Sequence, residues 1–326
     1  MRSIKLPSWS RRLLGFEPVP VPPHVFAVAP DRVVYARFVR APGGLELREH
    51  RAVPLAPETF TDGLLGGPMR DAAAFSGELG SLLAQLSVTV SEASLVVPDA
   101  WLRVALADVE ELPRAGESRE EVLRWKLKRL VPFRVEDLRL DAVEIAAAPA
   151  AAGASRRMLL GFALEVLMQQ LETAFAGAGV ALGWISGASL SLLPAAVRQA
   201  GNGLIMVALA DHRGYSLLAA YGGQPVLHRL KAWNGRLPEA EWAGTLRREL
   251  RLTGSFLAES LPGAPLERVL VVAPRREERR WVASLAEGLE APAEPLAPDF
   301  GLAAETVGER WPELAPMMGA ALREVA

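Results

Sequence analysis

Residues 112–140 read LPRAGESREEVLRWKLKRLVPFRVEDLRL. Ser118 followed three residues later by Glu121 is a capping-box pattern, in which a hydroxyl and a carboxylate satisfy the unpaired N–H groups that open a helix. Leu123, Leu127 and Leu130 recur at i, i+4 and i+7, the spacing of one buried helix face. Val122 and Trp125 broaden that face, leaving Arg124, Lys126, Lys128 and Arg129 mostly outward. Pro132 stops the helix, because its ring clashes with the preceding turn, and Phe133 is placed to pack back on it. The residues alone give a capped amphipathic helix followed by a tight docking loop.

The flanking chain is α/β. Upstream, strands are expected at 25–29, 33–40 and 45–53, with a hairpin turn at Pro42, Gly43 and Gly44. A helix is expected at 71–86, with Phe75, Leu79, Leu82, Leu83 and Leu86 near one face. The same order recurs about 180 residues later: strands at 204–210, 215–221 and 225–230, a Gly222–Gly223 turn, then a helix from 239 to about 257. Strand, strand, strand, helix, occurring twice, points to a duplicated α/β core. Between the two openings lie strands at 93–97, 101–108, 157–164 and 180–185 and helices at 165–175 and 187–198. A strand at 268–272 and a helix at 277–289 follow, the latter led by a run of charges that reads as a solvated face. The alanine-rich 146–154 stretch reads as a surface loop.

Composition narrows the function. At roughly 150 residues per domain, 326 residues make about two domains. Half the residues are hydrophobic, enough for real cores, and 36 Lys plus Arg against 38 Asp plus Glu argues against a general nucleic-acid binder. The absence of cysteine excludes disulfides, thiol nucleophiles and thiolate zinc sites. The four histidines, His24, His50, His212 and His228, form no motif with metal or catalytic spacing. No apolar run is long enough to span a membrane. The first sixteen residues are basic, with Trp9 and Leu13 among Arg2, Lys5, Arg11 and Arg12. Two readings stay open: a basic tail covering protein surface, or an interfacial segment meeting anionic lipid. EPVPVPPH at 17–24 has four prolines in eight residues and reads as a stiff spacer.

The decisive segment resembles the PilM family of type IV pilus assembly proteins. These are actin-like and more distantly related to FtsA and to the cytoplasmic part of GspL. The matching residues are Trp125, Leu130, Val131, Pro132, Phe133, Glu136, Asp137, Leu138 and Asp141, preceded by Val97-Pro98-Asp99 and Glu111-Leu112-Pro113. The resemblance extends over roughly 25–322 and is specific mainly at 95–141. It implies a duplicated, RNase H-like, two-lobed actin-like fold with a small inserted α/β subdomain. The expected division is a tail and spacer at 1–24, a first lobe at 25–200 with its insertion at about 95–185, and a second lobe at 201–326.

The resemblance also implies an ATP site between the lobes, where small residues and an acid in two strand–turn–strand loops would hold phosphate and hydrated Mg²⁺. The corresponding stretches here are Ala27–Arg32, Val207–Arg213 and Ala273-Pro274. Pro30 removes a donor from the first, glycine comes late in the second at Gly214, and the third lacks its Gly-Gly pair. Asp31 and Asp211 read either as displaced metal-organising acids or as turn residues. Arg32 and Arg213 read either as an anion site or as exposed turn arginines. Asp211 beside His212 does not define a catalytic relay. The expectation is therefore no catalytic residue, no cofactor and no metal; the alternative is an actin-like assembly protein that binds, or weakly hydrolyses, ATP with Mg²⁺. By the same resemblance, the chain is expected to be a scaffold or adaptor of a type IV pilus or type II secretion-like machine, its partner the N-terminal cytoplasmic tail of a PilN-like single-pass inner-membrane protein, with other pilus or secretion platform proteins as further candidates. That tail would bind in the first lobe near the insertion, and Arg124, Trp125, Arg129 and Phe133 are the candidate contacts. The expected location is cytoplasmic, peripheral to the inner membrane.

Overall fold

The computed structural model describes residues 23–41, 44–61, 63, 65–113, 117–131, 134–145, 156–211, 214–233, 239–297 and 308–322. The basic tail, most of the spacer, Pro132, Phe133, the 146–154 stretch, His212 and Arg213 lie outside the described residues.

The chain opens with β1 (His24–Ala29), β2 (Arg32–Ala41) and β3 (Gly44–Pro54), then α1 (Ala72–Ala84) and β4 (Glu92–Val97). Asp71 caps α1 by accepting the N–H of Ala74, and Phe75, Leu79 and Leu82 fill one buried stripe. The inserted unit follows: β5 (Leu102–Val109), α2 (Glu117–Lys128), a 3₁₀ turn at Val135–Asp137, β6 (Leu138–Ile145) and β7 (Arg156–Leu164). The first unit resumes with α3 (Glu165–Gly177) and β8 (Ala181–Gly187). Two short helices, α4 (Ala188–Ser191) and α5 (Leu193–Ala200), lead to β9 (Leu204–Asp211), β10 (Gly214–Tyr221), β11 (Gln224–Ala232) and α6 (Glu239–Ser260). The chain closes with β12 (Leu266–Val272), α7 (Arg275–Leu289), β13 (Ala293–Pro295) and α8 (Trp311–Leu322).

The first sheet has strand order β3-β2-β1-β4-β8 and the second β11-β10-β9-β12-β13, the same order twice. In each, the first three strands run antiparallel and the last three parallel. Covered on both faces, the central strands become continuous apolar runs, as in β9, where Leu204 to Ala208 are all buried. In β2 successive residues divide between two cores: Val34 and Ala36 face one, Val33 and Tyr35 the other.

One of those cores joins the lobes. Val25 and Val34 of the first sheet share it with Ile205, Val207 and Leu270 of the second, with Leu192 between the connecting helices, and with Met317 and Met318 of α8. The boundary expected at residue 200 falls within this core. The C-terminal α8 packs on β1, β2 and β4 of the first sheet, whereas α5 packs on β9 of the second. Each helix crosses to the other unit because both present apolar side chains to the shared core. The helix expected at 187–198 is interrupted at Leu192, between α4 and α5.

The insertion is narrower than 95–185. Only β5, β6 and β7 form the separate antiparallel sheet, in the order β5-β7-β6, whereas β4 and β8 pair with each other in the first sheet. Leu123 and Leu127 of α2 cover one face of the small sheet, over Met158, Leu160 and Phe162, and Leu65 from the loop after β3 joins that core. Ser118 lies inside the first turn of α2, which starts at Glu117, so it is not the residue before the helix. Among the described residues no helix is long and apolar enough to cross a membrane.

Candidate functional site

The junction between the inserted sheet and the first lobe holds most of the sequence candidates. Leu123 and Leu127 point into the insert core, so Trp125, two positions from each, points away; residues two apart on a helix do not share a face. Trp125 is 55% exposed, which corrects its placement on the buried face. Arg129 and Lys126 flank its ring at 5.3 and 5.6 Å from the centroid. Leu130, expected on the buried stripe, is 52% exposed because α2 ends at Lys128 and Leu130 sits in the turn that follows.

Arg124 is tied inward. Its Nε donates to Glu120 Oε1 at 2.9 Å, one helical turn back, and its Nη1 donates to the carbonyl of Val135. It therefore fastens α2 to the 3₁₀ turn. Phe133 lies outside the described residues. The structure thus brings Trp125 and Arg129 together at the surface and gives Arg124 a structural anchor.

Below this helix, Arg139 of β6 clamps the insert to α3. Its Nε and Nη2 donate to Glu165 at 3.0 and 2.8 Å, a two-pronged bond, and Nη2 also reaches Glu172 at 3.0 Å. The Arg139 bond, helped by the nearby charge of Arg124, holds the Glu165 carboxyl below the usual carboxylate range despite partial burial. Glu165 thus lies where α2, β6 and α3 converge. On the same helix Gln170 accepts the N–H of Met69 at 2.7 Å and donates to its carbonyl at 3.2 Å. The loop after β3 is thereby fixed to α3 while its Leu65 enters the insert core. Gly66 takes φ +70° with the Trp101 ring against it, and a Cβ there would lie 2.3 Å from Trp101 Cδ1. Sequence patterns do not announce Arg139, Gln170 or this loop, since each acts over a long sequence separation. The one available sign is that Glu165 and Glu172 stand seven residues apart, on one stripe of a helix.

The turns that correspond to phosphate loops are built differently in the two lobes. In the first, Asp31 pairs with Arg32 at 2.8 Å, and Arg32 reaches Glu313 of α8 at 3.2 Å. Glu313 also meets His50 Nε2 of β3 at 3.1 Å. In the second, Asp211 Oδ1 accepts the N–H of Gly214, closing its own turn. At the third element the Pro274 carbonyl accepts the N–H groups of Glu277 and Glu278, so it caps α7. One acid is engaged by arginine, the other by its own turn, and Pro30 has no N–H to offer. Among the described residues no group of three or more His, Asp or Glu is placed to hold a metal ion.

A chain with this twice-repeated sheet order, crossing helices and inserted antiparallel sheet superposes on a solved structure of a PilM-PilN type IV pilus biogenesis complex. The TM-score is 0.73 at 19% identity, covering 94% of this chain and all of that one. The chain has the actin-like fold of PilM. More remote similarities include the cytoplasmic domain of EpsL, an inner-membrane component of the Vibrio cholerae type II secretion system. Its TM-score is 0.44 at 10% identity, covering 77% of this chain and 82% of that one. The ethanolamine utilization protein EutJ from Carboxydothermus hydrogenoformans has a TM-score of 0.47 at 12% identity, covering 96% and 94%. No protein-family model and no curated protein matches the chain.

Proposed function

We propose that this chain is an adaptor of a type IV pilus or type II secretion-like machine. It binds the N-terminal cytoplasmic tail of a PilN-like single-pass inner-membrane protein, sits on the cytoplasmic side against the inner membrane, and works without ATP. The observation that carries the proposal is the superposition on PilM from a PilM-PilN complex over that chain's whole length. The insert junction supports it: Trp125 and Leu130 are large apolar groups held in water, with Arg129 stacked on the indole. An amphipathic aromatic beside an arginine is the usual chemistry of an interface anchor. The engaged acids of the two turns support the ATP-free part of the proposal.

The test is calorimetric titration of the full chain with a peptide of the PilN-like protein's cytoplasmic tail. Saturable binding is expected, weakened at least tenfold by Trp125→Ala and several-fold by Arg129→Ala, with the fold of both variants retained. No binding, or binding unaffected by either substitution, defeats the adaptor site. A parallel titration with Mg-ATP should give no saturable signal. Saturable binding lost in Asp31→Ala or Asp211→Ala would restore a nucleotide-dependent reading.

A further inference from the structure

Two buried polar residues and a half-buried histidine from separate parts of the fold meet where the insert, the connecting helices and the second lobe touch. Asp99, in the loop between β4 and β5, is 5% exposed, and Ser189 of α4 is fully buried. Asp99 Oδ1 and Oδ2 lie 3.0 and 3.3 Å from the Ser189 N–H. Ser189 Oγ lies 3.1 Å from Nε2 of His228, in β11 of the second sheet. The imidazole also bonds to the backbone of Val104 in β5. The junction is tightly closed: a Cβ on Gly187 would lie 2.9 Å from both Asp99 Oδ1 and the Leu102 carbonyl oxygen.

The trio has the residue types of a serine hydrolase relay but not its geometry. The carboxylate binds the serine's own N–H, not the imidazole, and the hydroxyl has no access to a substrate. Each bond instead crosses a boundary: Asp99 to Ser189 from the first lobe to the connecting helix, Ser189 to His228 from that helix to the second lobe, and His228 to Val104 from the second lobe to the insert.

We infer that Asp99, Ser189 and His228 form a latch holding the second lobe and the inserted sheet on the connecting helix, and that these parts separate only when it breaks. Burying polar groups costs little while each has a partner and much once one is lost, so the latch is closed or open with little between. Acidification favours the open form. The charged groups facing His228 are Asp99, which favours the imidazolium, and Arg103 of β5, which opposes it. Burial outweighs both and holds the imidazole below its ordinary range. Once exposed, His228 titrates near the ordinary ~6.5. Below that pH the open form binds a proton that the closed form does not, so closure is favoured above it and weakens as pH falls.

Hydrogen exchange on the full chain tests the latch. Ser189→Ala should speed exchange at least tenfold in both 102–109 and 224–232, with protection in β9 and β12 unchanged. In the parent, exchange corrected for intrinsic rates should rise in those two segments, approaching tenfold per pH unit below about 6.5 as one proton is taken up. His228→Gln should lack that pH response. Exchange unchanged in Ser189→Ala, raised uniformly over both sheets, or raised in only one of the two segments would overturn the latch. So would an intact pH response in His228→Gln.

Discussion

Replacing Gly319 with alanine separates local propensity from packing. Gly319 lies in α8, and alanine in a helix interior is ordinarily favoured over glycine by about 1 kcal/mol. Here α8 crosses the connecting helices so closely that a Cβ would lie 2.1 Å from the Ser191 carbonyl oxygen and 2.8 Å from its carbon. Both are backbone atoms, which cannot swing aside as a side chain tip would. To reach the 3.4 Å where ordinary contact begins, α8 must retreat by more than about 1 Å from the core shared by the lobes. Overpacking of that kind costs roughly 3 kcal/mol at the upper end of its usual range. Less the propensity gain, Gly319→Ala should lose roughly 2 kcal/mol. The control is Gly80→Ala in α1, where a Cβ meets nothing within 4 Å and propensity alone should stabilise by roughly 0.5–1 kcal/mol. Urea unfolding followed by tryptophan fluorescence reads both. If Gly319→Ala is as stable as the parent while Gly80→Ala behaves as expected, the close crossing of α8 is not what the geometry says it is.

Three further outcomes follow from the same contacts. Leu127→Ala empties a fully buried site in the insert core and should cost about 2–5 kcal/mol, read as a lower urea midpoint and as faster exchange in β5, β6 and β7. Arg139→Ala removes the clamp on Glu165 and Glu172; because all three side chains are about a third or more exposed, solvent screening limits the loss to about 1 kcal/mol, read by the same melt at low and high salt. Burial raises the Glu49 carboxyl, but two bonds from Ser87 and the charges of Arg51 and Arg37 more than offset it, so its pKa lies below the ordinary value. It therefore stabilises above the unfolded value of ~4.3 and loses that contribution as pH falls through the folded value, so Ser87→Ala should move the acid-induced loss of stability to higher pH in a pH-dependent melt.

The duplicated core is legible from the sequence because its signals are local. Val25–Ala29 and Leu204–Ala210 are apolar runs too short for helices, and Gly43-Gly44 and Gly222-Gly223 mark hairpins at matching places. The crossing of α8 is not legible. Trp311–Leu322 is apolar on most sides and carries Pro316 in its interior, so it has neither a clean stripe nor a start signal pointing to one lobe. Only the assembled core shows that Met317 and Met318 share a cluster with Val25 and Val34. Trp125 fails for a different reason: its hydrophobicity suggests the core, but its angular offset from Leu123 and Leu127 excludes it. The Asp99, Ser189 and His228 junction spans 130 positions, from 99 to 228, and no sequence period connects its members.

The two halves share a topology but not a chemistry, and the difference bears on where such a chain can act. The first turn is stitched to the C-terminal helix through Arg32, Glu313 and His50, whereas the second closes on itself through Asp211 and Gly214. An anion arriving at the first turn would compete with Glu313 for Arg32, and success would leave that carboxylate with only His50 among the described residues. Glu313 is only partly exposed, so losing its arginine costs more than breaking a pair in open solvent would. At the insert the balance reverses. The exposed Trp125 already carries its hydration cost, and covering it with a partner recovers about 25 cal/mol for each Å² of apolar surface removed from water. Covering the insert surface is therefore favourable and displacing Glu313 at the first turn costly, the balance that the proposed adaptor requires.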